Sequence, residues 1–204
     1  MAVMLVPMDP SEWVKTKFPF KKFPDFNFSQ SIQISNDSAV GGYFYKLPKP
    51  IEIGSLEFIQ LKAQIDKFPK VKINMPFQKK QDDYAFRLGL MLSDGRNSSI
   101  PSFVQSKIGR QFPVTKMIYF QFASLDGEIE MCGKSPHNSF SIYCVLNTSE
   151  GKEFLLNLNL ENKALKVLKN RKKLRLVGLW LFSDTDDSGS KSNAVVRKIS
   201  IKTR

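Results

Sequence analysis

The chain has 204 residues, 42% hydrophobic and 25% charged, the composition of an ordinary soluble globular protein long enough to bury one sizeable core. Two cysteines without CxxC spacing and a single histidine exclude a zinc site and a histidine-dependent catalytic triad. A net charge of +12 admits nucleic acid, anionic polysaccharide and anionic lipid as partners but specifies none of them.

Residues 1–26 read as an extended N-terminal arm, because "KFPFKKFPDF" repeats Phe-Pro and Lys without a regular period. Its aromatics are expected to pack onto a single domain spanning 27–204. From there, alternation of period two dominates. "SIQIS" alternates cleanly, "GGYFYKL" carries Tyr43 and Tyr45, and "EFIQLKAQI" sets Ile59, Leu61, Ala63 and Ile65 against Phe58, Gln60, Lys62 and Gln64. "DDYAFRLGLML" puts Tyr84, Phe86, Leu88, Leu90 and Leu92 on one face, with Ala85, Arg87, Gly89 and Met91 on the other. "KMIYFQFAS", "GEIEM", "FSIYCVL", "FLLNLNL", "LRLVGLWLF" and "AVVRKISIK" continue the series, separated by turns such as "SLDG" and "NTSEGK". Only "NLENKALKVLKNRKK" reads helically. About ten short strands and one short helix predict an all-β, two-sheet β-sandwich, jelly-roll-like, of the galactose-binding or concanavalin-like kind.

No apolar run reaches the roughly 18 residues of a membrane span, and "MAVMLVPMDP" has no positive n-region. The expected location is periplasmic or secreted if a leader has been removed, and cytoplasmic otherwise. Cys132 and Cys144 face each other across a predicted hairpin. They would bond in an oxidising compartment and stay thiols in a reducing one.

Acids follow directly on the most apolar run of the chain. In "DTDDSG", Asp184, Asp186 and Ser188 stand at positions 1, 3 and 5 and Gly189 at position 6, as in the first half of a calcium loop. Val195 stands where such a loop needs its bidentate Glu. Asp82 and Asp83 would complete the ligand set if the two strands are neighbours, making Ca2+ the candidate cofactor. The alternative is an acidic turn whose side chains accept backbone N–H groups. Acids are disfavoured in strands without partners. The expected arrangement is therefore a buried network in which Arg87, Arg197 or backbone donors tie the strand opened by Asp82 and Asp83, at most one of them facing inward, to the 184–189 loop.

"QDDYAFRLGLML" and "LFSDTDDSGSKSNAVVRKISI" together resemble the paired signatures of a bacterial family, domain of unknown function 3047. "SAVGGYFYKLPKPIEIGSLEFIQLKAQI" resembles its N-terminal part, so the likeness spans roughly residues 30–203. It implies a secreted or periplasmic sandwich similar to carbohydrate-binding modules, and it implies no activity. This chain has "LEFIQLKAQI" where the family has a Trp-rich strand.

Other constellations are weaker. "DGEIEM" places Glu128 and Glu130 on one strand face, similar to the carboxylate strand of sandwich-fold β-glucanases. Met131, Cys132 and Gly133 follow, so the third carboxylate of that pattern is missing. Tyr43, Tyr45 and Tyr119 are candidate sugar-stacking rings, or else half-buried packing. Lys169, Arg171, Lys172 and Lys173 form the densest basic run and the candidate anion site, without the aromatics that single-strand binders interleave. The resulting expectation is a non-catalytic binding or structural sandwich with a glycan or cell-envelope partner. A polysaccharide-active hydrolase or lyase, and a nucleic-acid or anionic-polymer binder, are the alternatives.

Overall fold

The computed structural model describes residues 2–70, 83–97, 100, 105, 113–124, 130–159 and 173–204, with Glu130 described in its backbone only. The helix expected near 160–172 lies outside these residues, as do Asp82, Glu128, Lys169, Arg171 and Lys172.

Thirteen strands run through the described residues: β1 Ala2–Leu5, β2 Trp13–Lys17, β3 Asp25–Phe28, β4 Ile32–Asp37, β5 Val40–Glu52, β6 Leu56–Lys67, β7 Tyr84–Ser93, β8 Lys116–Ala123, β9 Glu130–Lys134, β10 Ser141–Asn147, β11 Glu153–Asn159, β12 Arg175–Asp184 and β13 Lys191–Thr203. They form two stacked sheets, a jelly-roll-like β-sandwich. One has the order β11-β6-β13-β4-β3, with β1 also paired to β13. The other has the order β2-β5-β12-β7-β8-β10-β9.

Period-two patterning explains the stacking. Ile59, Leu61, Ala63 and Ile65 of β6 are fully buried. They join Phe86, Leu88, Leu90 and Leu92 of β7 and Leu179 and Leu181 of β12 in one inter-sheet core. Burial of each such side chain contributes about 1.5–3 kcal/mol. Tyr84 departs from its expected face. The β7–β12 register shifts between Phe182 and Asp184, and Tyr84 packs with Ala123 and Val145 instead of the inter-sheet core.

The N-terminal residues, expected as an arm, supply strands to both sheets. β1 pairs with β13, and β2 pairs with β5. Paired edges satisfy backbone groups that a loosely lying arm would leave to water. Trp13 of β2 is buried against Tyr45, with ring centroids 5.5 Å apart.

β8 and β10 pair in parallel, and β9 turns back on β10 so that Cys132 and Cys144 fall in register. A disulfide joins them across the hairpin. No helix among the described residues is long and apolar enough to cross a membrane.

The contact between β5 and β12 is the tightest point of the second sheet. A Cβ on Gly42 would lie 2.1 Å from the Leu181 carbonyl oxygen and 2.8 Å from the Phe182 Cα. Both are backbone atoms of a paired strand, so neither can yield cheaply. Gly42→Ala is expected to destabilise the protein by about 1–3 kcal/mol or more, measured by urea unfolding.

Candidate ligand-binding cleft

An antiparallel sandwich usually turns the outer face of each sheet to water. The seven-stranded sheet does not. Residues of β12, β7, β8 and β10 that point away from the core include Trp180, Phe182, Met91, Met117, Tyr119 and Tyr143, and these bury one another in a second apolar cluster. Trp180, Phe182, Met117, Tyr119 and Tyr143 floor a cleft of about 630 Å³. Tyr119 and Tyr143 meet edge to face at 5.3 Å, and Trp180 and Phe182 at 5.2 Å. The Trp180 Nε1–H donates to Thr16 Oγ1 at 3.0 Å, and that hydroxyl donates to the Gly42 carbonyl at 2.8 Å, which fixes the indole on the floor. Burial pushes the Tyr119 phenol well above its ordinary range, with Tyr143 adding and Arg87 opposing, so it stays neutral.

Phe18, Phe140, Asn138 and His137 continue the lining, and Asp184, Asp186 and Asp187 supply its acidic part. His137 is exposed, as a loop histidine should be, yet it stands at this cleft. Arg87 is only 3% exposed. Its guanidinium carbon lies 5.3–5.4 Å from the rings of Tyr84, Tyr143 and Phe182, and one terminal nitrogen is 3.4 Å from Asp184 Oδ2. Aromatic faces and one carboxylate together compensate a cation removed from water.

The acidic end follows from strand pairing. β7 and β12 are antiparallel, and Tyr84 stands opposite Asp184. Asp83 at the entry to β7 therefore meets the loop that leaves β12. Asp83, Asp184 and Asp186 each place a carboxylate oxygen within 4.8 Å of the others. The Ser188 N–H donates to Asp83 Oδ2 at 2.7 Å, while Asp83 Oδ1 is buried and accepts from no described group. Gly189, at φ +61°, takes the left-handed turn that brings Ser188 to this position.

A buried network anchors the start of the loop. Thr185 Oγ1 donates to Asn36 Oδ1 at 2.8 Å, and Asn36 Nδ2 donates to Ser183 Oγ at 2.7 Å. Ser183 Oγ in turn donates to the Ala85 carbonyl at 2.6 Å. At the outer side, Lys21 Nζ forms an ion pair with Asp186.

Of the residues singled out in the sequence, the structure brings together Asp83, Asp184, Asp186 and Ser188, the last through its backbone N–H. Arg197 belongs to the other sheet, where it contacts Glu153 and Gln64. Tyr119 lies in the cleft. Tyr43 and Tyr45 do not, because the neighbouring Phe44 takes the cleft face of β5. Tyr45 is packed in the core, and Tyr43 is enclosed by the edges of Phe23, Phe26 and Phe28. Lys173 is exposed just before β12, and Glu130 belongs to the edge strand β9. The residues missed in the sequence were Trp180, Phe182, Tyr143 and Phe140. For Trp180 and Phe182 the signal was large apolar residues on both alternating faces of "LVGLWLF", leucines on one and rings on the other, one face more than a single core requires.

No family model matches the chain, and no curated protein sequence matches it. Solved structures do. One, from a comparison of family 12 glycoside hydrolases and substitutions important for their thermal stability, has a TM-score of 0.53 at 8% identity over 100% of both chains. The endoglucanase Cel12A of Rhodothermus marinus has a TM-score of 0.52 at 6% identity, again over 100% of both chains. The catalytic domain of Humicola grisea Cel12A, in complex with a soaked thio-cellotetraose, has 0.51 at 6% identity, over 100% of this chain and 99% of that one. At such identities the likeness establishes the fold and nothing finer.

Asp186 provides a test of the acidic end. Burial pushes its pKa up, but a hydrogen bond with Asp184, the hydrogen bond from Lys21 and the Lys21 charge outweigh this and hold it below the ordinary 3.8. A depressed carboxylate contributes stability that is fully present above its unfolded pKa and is lost as pH falls through the folded one. The Asp186 carboxyl resonance is expected to titrate below 3.8, and Lys21→Met to move its midpoint upward, both read by NMR.

Proposed function

We propose that the protein binds a glycan chain in the cleft of the seven-stranded sheet. The observation that carries this is an aromatic floor on a sheet face that would otherwise be solvated, edged by carboxylates and an amide. A pyranose ring has apolar faces and hydroxyl edges. Tyr143, Phe140 and Trp180 offer surfaces for the faces, and Asp184, Asp186, Asp187 and Asn138 offer acceptors for the hydroxyls. The Cel12A similarity makes β-linked gluco-oligosaccharides the first ligands to try. The Cys132–Cys144 disulfide supports an oxidising compartment, periplasmic or extracellular. It agrees with the cell-envelope setting implied by the resemblance to the 3047 family, whose two acidic segments here flank one cluster.

A glycan array followed by calorimetry tests the reading. Phe140→Ala and Tyr143→Ala are each expected to weaken affinity about tenfold, the loss of one aromatic contact of roughly 1.4 kcal/mol. Absence of binding across the array overturns it. Release of reducing ends from the same glycans, abolished by Asp184→Asn, would replace binding with catalysis, for which paired carboxylates at a cleft are the requirement.

The acidic cluster supports a second, separable reading, namely that Asp83, Asp184 and Asp186 hold Ca2+. The buried Asp83 Oδ1, which accepts from no described group, favours it. Oxygen-only donors suit a hard cation, and the ion would take over from Lys21 at Asp186. Calcium at a hundredfold excess over its Kd is expected to raise Tm by roughly 5–10 °C. Asp83→Asn should remove that shift. An unchanged Tm would leave the cluster as an ion-paired turn.

A further inference from the structure

The turn from Phe18 to Lys21 carries two features that work against stability. Phe20 is fully exposed, at 106% of its reference area. Its backbone is left-handed, with φ +61°. The turn is closed by the Lys21 N–H donating to the Phe18 carbonyl at 3.4 Å, with Pro19 at its second position and Phe20 at its third. A turn with Pro second and positive φ third is the type that takes Gly or Asn at that third position. A bulky side chain in left-handed backbone is a sterically costly choice. An exposed phenyl ring gains nothing from burial in return.

Both ends of this turn are fixed to the cleft. Phe18 lines the cleft and packs edge-on against Phe182 at 5.8 Å. Lys21 is paired with Asp186, another lining residue. Phe20 therefore belongs to a two-residue connection, Pro19–Phe20, between Phe18, which lines the cleft, and Lys21, which pairs with a lining carboxylate, and its ring is fully exposed there. Backbone strain that persists where it stabilises nothing local marks a functional position.

We infer that Phe20 is a rim platform that stacks on a sugar unit of a glycan chain extending out of the cleft, so that it reads chain length. This rests on the glycan reading of the cleft and adds a residue and a length dependence to it. A short oligosaccharide occupies the floor and does not reach the ring. A longer one emerges past the Phe18–Lys21 turn and lies across it.

The test compares cellobiose with cellohexaose, by calorimetry, on the wild type and on Phe20→Asn and Phe20→Tyr. Phe20→Asn should weaken cellohexaose binding about tenfold and leave cellobiose binding unchanged. Phe20→Tyr should keep wild-type affinity for both. Because Asn accepts left-handed backbone, Phe20→Asn should also keep or raise Tm by up to roughly 4 °C. Equal cellohexaose affinity in wild type and Phe20→Asn overturns the platform and leaves the cleft reading standing. A lowered Tm in Phe20→Asn overturns it too, since Phe20 would then be a packing residue. Failure of the wild type to bind either sugar overturns the cleft reading for this ligand class and the platform with it. Phe20-dependent binding to phosphatidylglycerol vesicles would assign the ring to a membrane surface and likewise overturn the proposal.

Discussion

Burial of β12 on both faces is the constraint on which the rest depends. One face, with Leu176, Leu179 and Leu181, closes the core between the sheets; the other, with Val177, Trp180 and Phe182, founds the cleft. A strand buried on both sides must have both backbone edges paired, and β5 and β7 supply them. The approach to β5 is close enough that only glycine fits opposite Leu181 and Phe182. Fold and cleft thus share one strand. A change that loosens it would damage packing and site together.

The same pairing produces the acidic end. Antiparallel neighbours bring the start of β7 to the end of β12, so carboxylates about a hundred positions apart in the chain converge within 4.8 Å. Three carboxylates this close repel one another unless cations or N–H donors stand beside them. Lys21 does so from the N-terminal segment, Arg87 from the sheet and the Ser188 N–H from the loop. The N-terminal residues therefore do more than cover an edge. Through β2 they buttress Trp180 with the Thr16 hydroxyl, and through Lys21 they hold the loop that borders the cleft.

Energetically, the cleft departs from what stability alone would select. Arg87 is nearly fully removed from water beside aromatic faces, Asp83 keeps a buried oxygen that no described group satisfies, and Phe20 exposes a ring on left-handed backbone. Each is costly where it stands, and they belong in turn to the cleft, to the acidic cluster at its end and to the turn that joins Phe18 to Lys21. The outer face of the six-stranded sheet shows the opposite pattern: exposed polar ladders such as Gln60–Asn157 and Lys62–Glu153, each contributing little.

Much of the architecture was legible in the sequence, because a strand's two faces are written in alternate residues. "EFIQLKAQI" and "DDYAFRLGLML" announce a sandwich, and "DTDDSG" announces an oxygen-rich turn, since these depend on neighbours along the chain. Alternation does not say which face of a strand meets which partner. It could not tell that Phe44 rather than Tyr43 or Tyr45 takes the cleft face, that a register shift turns Tyr84 away from the inter-sheet core, or that Arg87 rather than Arg197 stands against Asp184. Those outcomes depend on strand order and register, and both are decided by contacts between segments distant in sequence. The sequence determined the two-faced strands and the acidic turn. Tertiary pairing alone decided that they meet, because only the closing of β5, β7 and β12 into one sheet puts the rings, the acids and the arginine on the same side.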